Sequence, residues 1–314
     1  MILRALTLLF SLMACCQAIL AHGQEPARKE ENVQKDAEET QRLTELFLRN
    51  QSVFIRKGEL MVELNTFYNR NSRTSIEPLL GGVLVSQNTR RFIDNTIIAR
   101  YGLLTDGLEV DLLVPAFIHA EQQSDIGVLR TGVEQDGVGD ISAALRYQVW
   151  YERGARPALV VDIDGKSRTG GSGLTGTGTW NAGGGITLLK SIDPVVFFGR
   201  LGYTYNFASH SRDLGNMYEA RLGMGFSLND KVSFNIQFSY ANVEPSQVSG
   251  TLIGGVANPA LGPLFVTTRR AEVMNLLFTT TVIVTKKFSI EPIFGVPLTD
   301  QSFTIVGIRI PYRF

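Results

Sequence analysis

The sequence predicts an all-β fold, a 12-stranded antiparallel transmembrane β-barrel over 58–314 with a short charged helical segment, 24–57, before it. Three observations carry that expectation. Successive stretches alternate apolar and polar residues with a period of two, the period of a strand, because neighbouring side chains leave a strand on opposite faces. Short polar turns alternate with long Gly-, Ser- and Asn-rich connections, the rim asymmetry of outer-membrane barrels. The closing stretch, 302–314, sets Val306, Ile308, Ile310, Tyr312 and Phe314 on one face and Ile305, Gly307, Arg309, Pro311 and Arg313 on the other.

Charge and targeting narrow the class. In 314 residues, 30 Lys and Arg balance 30 Asp and Glu, so no global field points to a nucleic-acid partner. The body holds no run of ~18 apolar residues, so any membrane span is built of strands. Arg4, the apolar run 5–15 and Ala21-His22-Gly23 read as a signal peptide over 1–23 and imply export. Both cysteines, Cys15 and Cys16, fall inside it, which leaves the exported protein without thiol chemistry or cysteine-ligated metal. Leu12-Met13-Ala14-Cys15 also looks like a lipoprotein cleavage box, with lipidation at Cys15 as the alternative.

Residues 25–42 are almost wholly charged or amide, rich in good helix formers. Leu43, Leu46, Phe47 and Phe54 continue them with one apolar face. Two readings stay open: a coiled coil or plug helix seated in the barrel, or a solvated tether with a helical end.

The strands follow in order. In 59–68, Leu60, Val62, Leu64 and Tyr68 oppose Glu63 and Asn65; in 108–118, Leu108, Val110, Leu112, Val114 and Ile118 oppose Glu109 and Asp111. In 140–151, Ile141, Leu145, Tyr147 and Val149 oppose Asp140, Arg146 and Gln148, and in 158–168, Leu159, Val161 and Ile163 oppose Asp162, Asp164, Lys166 and Arg168. Phe197, Leu201, Tyr203 and Tyr205 oppose Arg200, Tyr218, Leu222, Met224 and Phe226 oppose Glu219 and Arg221, and Val232 to Tyr240 in steps of two oppose Ser233, Asn235 and Gln237. Weaker segments at 91–103, 179–190, 270–284 and 287–297, the last made irregular by Pro292, complete a count of twelve with the closing strand. An even count places both barrel ends on one side. Tight turns are expected at 104–107, 152–156, 191–194, 229–230 and 285–286, and long loops at 69–90, 119–138, 169–178, 208–216 and 244–268.

Alternation then assigns an inward face carrying Glu63, Asp94, Arg100, Glu109, Asp111, Arg146, Asp162, Asp164, Lys166, Arg200, Glu219, Arg221, Glu291 and Arg309, with Arg168 and Arg313 beside them. Such charges must pair or be hydrated, since an isolated charge in low dielectric is very costly. They read either as a cross-strand ion-pair lattice bracing the wall or as acidic and basic ladders lining a narrow pore. Candidate catalysts are few: the exported histidines are His119 and His210, and Ser209-His210-Ser211 with Asp213 holds triad residue types without a triad's geometry. No catalytic, cofactor or metal residue is assigned. The run Gly183-Gly184-Gly185 has no following Lys-Ser/Thr or helix and reads as relief of crowding in the wall rather than a phosphate cradle.

Gly137-Val138-Gly139-Asp140 followed by ISAALRYQ, then Thr169-Gly170, Gly176-Thr177-Gly178-Thr179-Trp180 and Phe198-Gly199-Arg200-Leu201-Gly202-Tyr203, resembles the outer-membrane transporters of the phenol-degradation MetA-pathway family. The lead-in FLRNQSVFIRKGELMVEL also resembles members with a charged N-terminal helix, among them the channel that secretes functional amyloid. The resemblance covers about 58–314 and implies a twelve-stranded passive channel in the bacterial outer membrane. It also implies that barrel-assembly machinery reads Tyr312 and Phe314. Two functions are expected from it: a channel for small solutes, hydrophobic or aromatic ones included, or a homotrimeric port for an unfolded polypeptide gated by the N-terminal helix. An outer-membrane hydrolase ranks third. Expected partners are outer-membrane lipid and lipopolysaccharide, the assembly machinery and the transported solute or polypeptide.

Overall fold

The structure, a computed structural model, describes residues 55–79, 82–126, 129–170, 174–209, 212–250, 264–267 and 270–314. The expected signal segment with Cys15, and all of 24–54, lie outside the described residues. Of the expected helical segment only 55–57 is described, and it runs as coil into a turn.

The described strands are β1 (Leu60–Leu79), β2 (Gly82–Gly102), β3 (Leu108–Ile126), β4 (Leu129–Gly137), β5 (Ser142–Trp150), β6 (Ala158–Lys166), β7 (Asn181–Ile192), β8 (Val195–Asn206), β9 (Arg212–Asp213), β10 (Met217–Asn229), β11 (Val232–Val243), β12 (Gln247–Gly250), β13 (Leu264–Thr267), β14 (Ala271–Thr285), β15 (Phe288–Pro297) and β16 (Thr304–Arg313). The large sheet holds 13 strands, and β4 pairs with β3 alone; the other twelve form a closed antiparallel ring in chain order, in which β16 returns to β1. Closure matters because a strand edge in lipid would leave backbone N–H and C=O groups with no water to bond, at several kcal/mol each. The remaining strands, β9, β12 and β13, make a small separate sheet.

Burial is inside-out relative to a water-soluble protein. Leu64, Ile163 and Leu201 are 52%, 64% and 68% exposed, while Glu63 and Glu109 on the other face of the same wall are 1% and 0% exposed. Bilayer hydrocarbon accommodates that outer surface, and water does not. Aromatic residues ring its two ends. Tyr101, Tyr147, Tyr151, Tyr312 and Phe314 stand outward near the short-turn rim, and Tyr68, Phe117, Tyr203, Tyr205 and Tyr218 near the other. Such girdles mark the levels where an amphipathic ring meets headgroups.

Beside the strands β9, β12 and β13, which lie in stretches expected as loops at 208–216 and 244–268, four details depart from the sequence-based expectation. Residues 69–79 with 82–90, and 119–126 with 129–137, are ladders rather than loops: β1–β2 pairs without interruption to Leu79↔Gly82, and β3–β4 to Ile126↔Leu129. Runs such as Asn69-Arg70-Asn71-Ser72-Arg73 and Glu121-Gln122-Gln123-Ser124-Asp125 are polar on both faces, so the alternating signal fades there although the hydrogen bonds continue. Second, Asn95 pairs with Phe117 and Thr96 with Pro115, a bulge at Ala116 that follows from Pro115 having no N–H to donate. The bulge turns Phe117 outward, at 44% exposure, in the place expected for Ile118. Third, β6 ends at Lys166, so Arg168 is an exposed residue past the strand and not part of the inward face. Fourth, Pro292 leaves the register unchanged: Thr279↔Ile293 and Val282↔Ile290 are in one register, Pro292 pairs with Ile308, and the β14–β15 register shift lies between Ile283 and Thr285.

Candidate functional site

The inward charges are positioned by register. Glu109 on β3 lies directly opposite Arg146 on β5, Glu291 on β15 opposite Arg309 on β16, and Arg100 on β2 opposite Asp111 on β3. Same-face side chains on adjacent strands stand close enough to bond. Arg146 accordingly bridges Glu109 at 3.0 Å and Asp111 at 2.9 Å, Arg309 reaches Glu291 at 3.2 Å, and Arg100 reaches Glu63 at 3.7 Å. Farther round the ring Arg200 bridges Asp162 at 2.6 Å and Glu219 at 2.9 Å, and Arg221 also meets Glu219 at 3.1 Å. Arg313 lies 3.8 Å from Glu59 at the short-turn rim.

These groups do not fill the ring. A cavity of about 580 Å³ lies inside it, and its wall includes Arg100, Asp111, Arg146, Asp162, Asp164, Lys166, Arg200, Glu219, Arg221 and Arg309. Four of the expected inward residues do not line this cavity: Glu63, Glu109 and Glu291 are buried on the inner face of the wall, and Asp94 accepts a 2.6 Å hydrogen bond from Thr96. The wall is not uniformly charged: Ile98, Leu113, Val160, Leu189 and Phe198 give it an apolar flank, backed on β6 and β7 by Ala158, Val160 and Leu189. Neutral polar residues complete the interior. Asn65, Thr96, Ser233, Asn235, Asn275, Thr279 and Thr281 are all buried.

Both mouths carry a built contact. On the short-turn side Ile55, 2% exposed, donates its backbone N–H to the Glu109 carboxylate at 3.1 Å. The chain leading into β1 thus starts from the inner side of the wall. On the other side Asp140, in the break between β4 and β5, gathers the 167–180 connection. It accepts from Lys166 Nζ at 2.8 Å, from the Thr177 N–H at 2.9 Å and hydroxyl at 2.8 Å, and from the Gly170 N–H at 2.9 Å. Lys166 also donates to the Thr177 hydroxyl, and Gln135 on β4 holds Leu174 and Thr175. Burial opposes ionisation of Asp140, but these hydrogen bonds outweigh it and hold its carboxyl below the ordinary carboxylate range.

Of the histidines, His119 lies on the β3–β4 ladder and bonds Asp136 at 2.6 Å, whereas His210 and Ser211 lie outside the described residues. Among the described residues no cluster of His, Asp and Glu is disposed to hold a metal ion.

A closed twelve-stranded ring with an apolar exterior, aromatic girdles and a charged, hollow interior is the architecture of a membrane-spanning, channel-type β-barrel. Residues 51–267 match the family model for the MetA pathway of phenol degradation, and the chain belongs to that family. Its fold is shared by the COG4313 outer membrane channel from Pseudomonas putida F1, 16% identical, with a TM-score of 0.54 over 83% of this chain and 97% of that one. Looser likenesses are the transport unit of the autotransporter AIDA-I from Escherichia coli, 10% identical over 87% of this chain and 97% of that one with a TM-score of 0.48, and the translocator domain of autotransporter NalP from Neisseria meningitidis, 10% identical over 91% and 97% with a TM-score of 0.44.

Proposed function

We propose that the protein is a passive channel of the bacterial outer membrane through which small solutes diffuse. The observation that carries this reading is the cavity of about 580 Å³ enclosed by the ring and walled by paired charges. Twelve strands fall between the side-chain-filled interior of eight and the open lumen of sixteen, so the passage is constricted. Its wall joins an apolar flank, Val160, Leu189 and Phe198, to arginines and carboxylates. That pairing suits solutes with an apolar or aromatic body and a charged or hydrogen-bonding group. Conductance of purified, folded protein in planar bilayers tests the reading, and a selective block by aromatic acids over sugars of equal size tests the solute class.

A second reading, a secretion port for an unfolded polypeptide gated by 24–54, draws on Ile55. Its N–H bonds the inward Glu109, so the described chain at Ile55 starts on the inner face of the wall. Cross-linked trimers that vanish when 24–54 is deleted would favour it.

A further inference from the structure

Arg200 lies in an unusual setting. Two residues beyond it, at one level of the wall, four adjacent strands present Asp162, Gly185, Gly202 and Glu219, each opposite the next in register. The outer two are acidic residues whose backbones stand roughly 14 Å apart at three strand spacings, and whose carboxylates lean toward each other across the strip. The inner two have no side chain. The Arg200 guanidinium occupies that bare strip: Nη2 and Nε donate to Asp162 at 2.6 and 3.3 Å, and Nη1 donates to Glu219 at 2.9 Å. Contact with the wall is close. A Cβ on Gly185 would stand 2.7 Å from Nη2 and 2.8 Å from Cζ, and one on Gly202 would stand 2.7 Å from Nη1. Neither atom fits while the guanidinium stays where it is.

We propose that Gly185 and Gly202 set the free width and the ion preference of the lumen by recessing the Arg200 guanidinium flat against the wall. The inference rests on the channel reading. Arg200 lines the cavity, so a guanidinium lifted off the strip moves into the passage. It then narrows the passage and loosens its pairs with Asp162 and Glu219, adding positive charge where solutes cross and favouring anions. In the native wall that charge is spent on two carboxylates, and the Arg200 side chain is 20% exposed against 45% for Arg221.

Two measurements on the full-length barrel test this. In bilayers, Gly185→Ala and Gly202→Ala should each lower single-channel conductance severalfold and shift the reversal potential toward anions. Added to Arg200→Ala, Gly202→Ala should have no further effect, whereas Gly185→Ala should keep part of its effect because its Cβ would also stand 2.9 Å from the Leu201 carbonyl oxygen. A glycine that merely shaped the strand would alter conductance equally with or without Arg200, and that result would overturn the proposal. The second measurement needs no current: with phenylglyoxal, Arg200 should be labelled more slowly than Arg221 in the native protein and severalfold faster after Gly185→Ala. Unchanged labelling in a variant of native heat-modifiability contradicts the recessed geometry. Wild-type protein that passes no current, yet shows the predicted labelling, sinks the channel reading and leaves the glycine strip standing.

Discussion

The Phe314 backbone N–H donates to the Leu60 carbonyl at 3.0 Å, which ties the end of the closing strand to the start of the first. The β1–β16 seam runs from there as ten consecutive pairs, Met61↔Arg313 to Arg70↔Thr304. Outside the seam Tyr312 and Phe314 pack edge to face, ring centres 4.9 Å apart, in the short-turn girdle.

That position gives a prediction with two separable parts. A charge at the membrane interface costs only about 0–1 kcal/mol, so Phe314→Asp should barely change the unfolding of protein that has inserted. If assembly machinery reads the aromatic pair, the same change should sharply reduce how much inserts. The heat-modifiable fraction in outer membranes measures the second quantity, and normal insertion would remove the proposed recognition role.

Arg146 is held between Glu109 and Asp111, both buried. Replacing it by Met would take the bridging cation from two buried carboxylates, at a cost of about 3–5 kcal/mol. Arg221→Met, at a half-exposed position that water screens, should cost under about 1 kcal/mol. Urea midpoints in detergent micelles compare the two, and equal shifts would show that the lattice does not discriminate by burial.

Asp140 supplies a pH dependence. Its folded carboxyl ionises more readily than a free one, so the hold on 167–180 is complete above the ordinary value of 3.8 and is lost as pH falls through the lower folded value. Acidification should therefore shift the Thr177 amide resonance with a midpoint under 3.8, and Asp140→Asn should abolish that titration. The same variant should speed tryptic cleavage at the exposed Arg168 while the barrel stays folded.

Much of this was legible in the sequence, for a physical reason: a wall one residue thick with lipid on one side and a charged interior on the other forces alternation at every position it spans. Val232 to Tyr240 and the Arg309-Ile310 region show it plainly. Legibility ended where that constraint ended. The hairpin ladders at 69–79 with 82–90 and 119–126 with 129–137 contain runs that are polar on both faces, Asn69 to Thr74 and Glu121 to Asp125, so the alternation that marks a strand is lost there. Buried neutral groups such as Thr281 and Asn275 sit at the same inward parity as the charges, but a neutral polar residue marks an inward face less sharply in sequence than a charge does. The Arg200 strip was beyond reach for another reason: Asp162, Gly185, Gly202 and Glu219 meet through the register of four strands, which no local stretch encodes.

The most direct test of the channel itself is single-channel recording with ion selectivity, on protein shown to be folded by heat-modifiability. Arg221 lines the cavity and is the most exposed of its ion-paired cations. A current through this lumen should therefore shift its reversal potential toward cations in Arg221→Glu, while Leu201→Gln on the lipid face leaves it unchanged. Folded protein that passes no current, with or without residues 24–54, or a current indifferent to Arg221, would contradict the account.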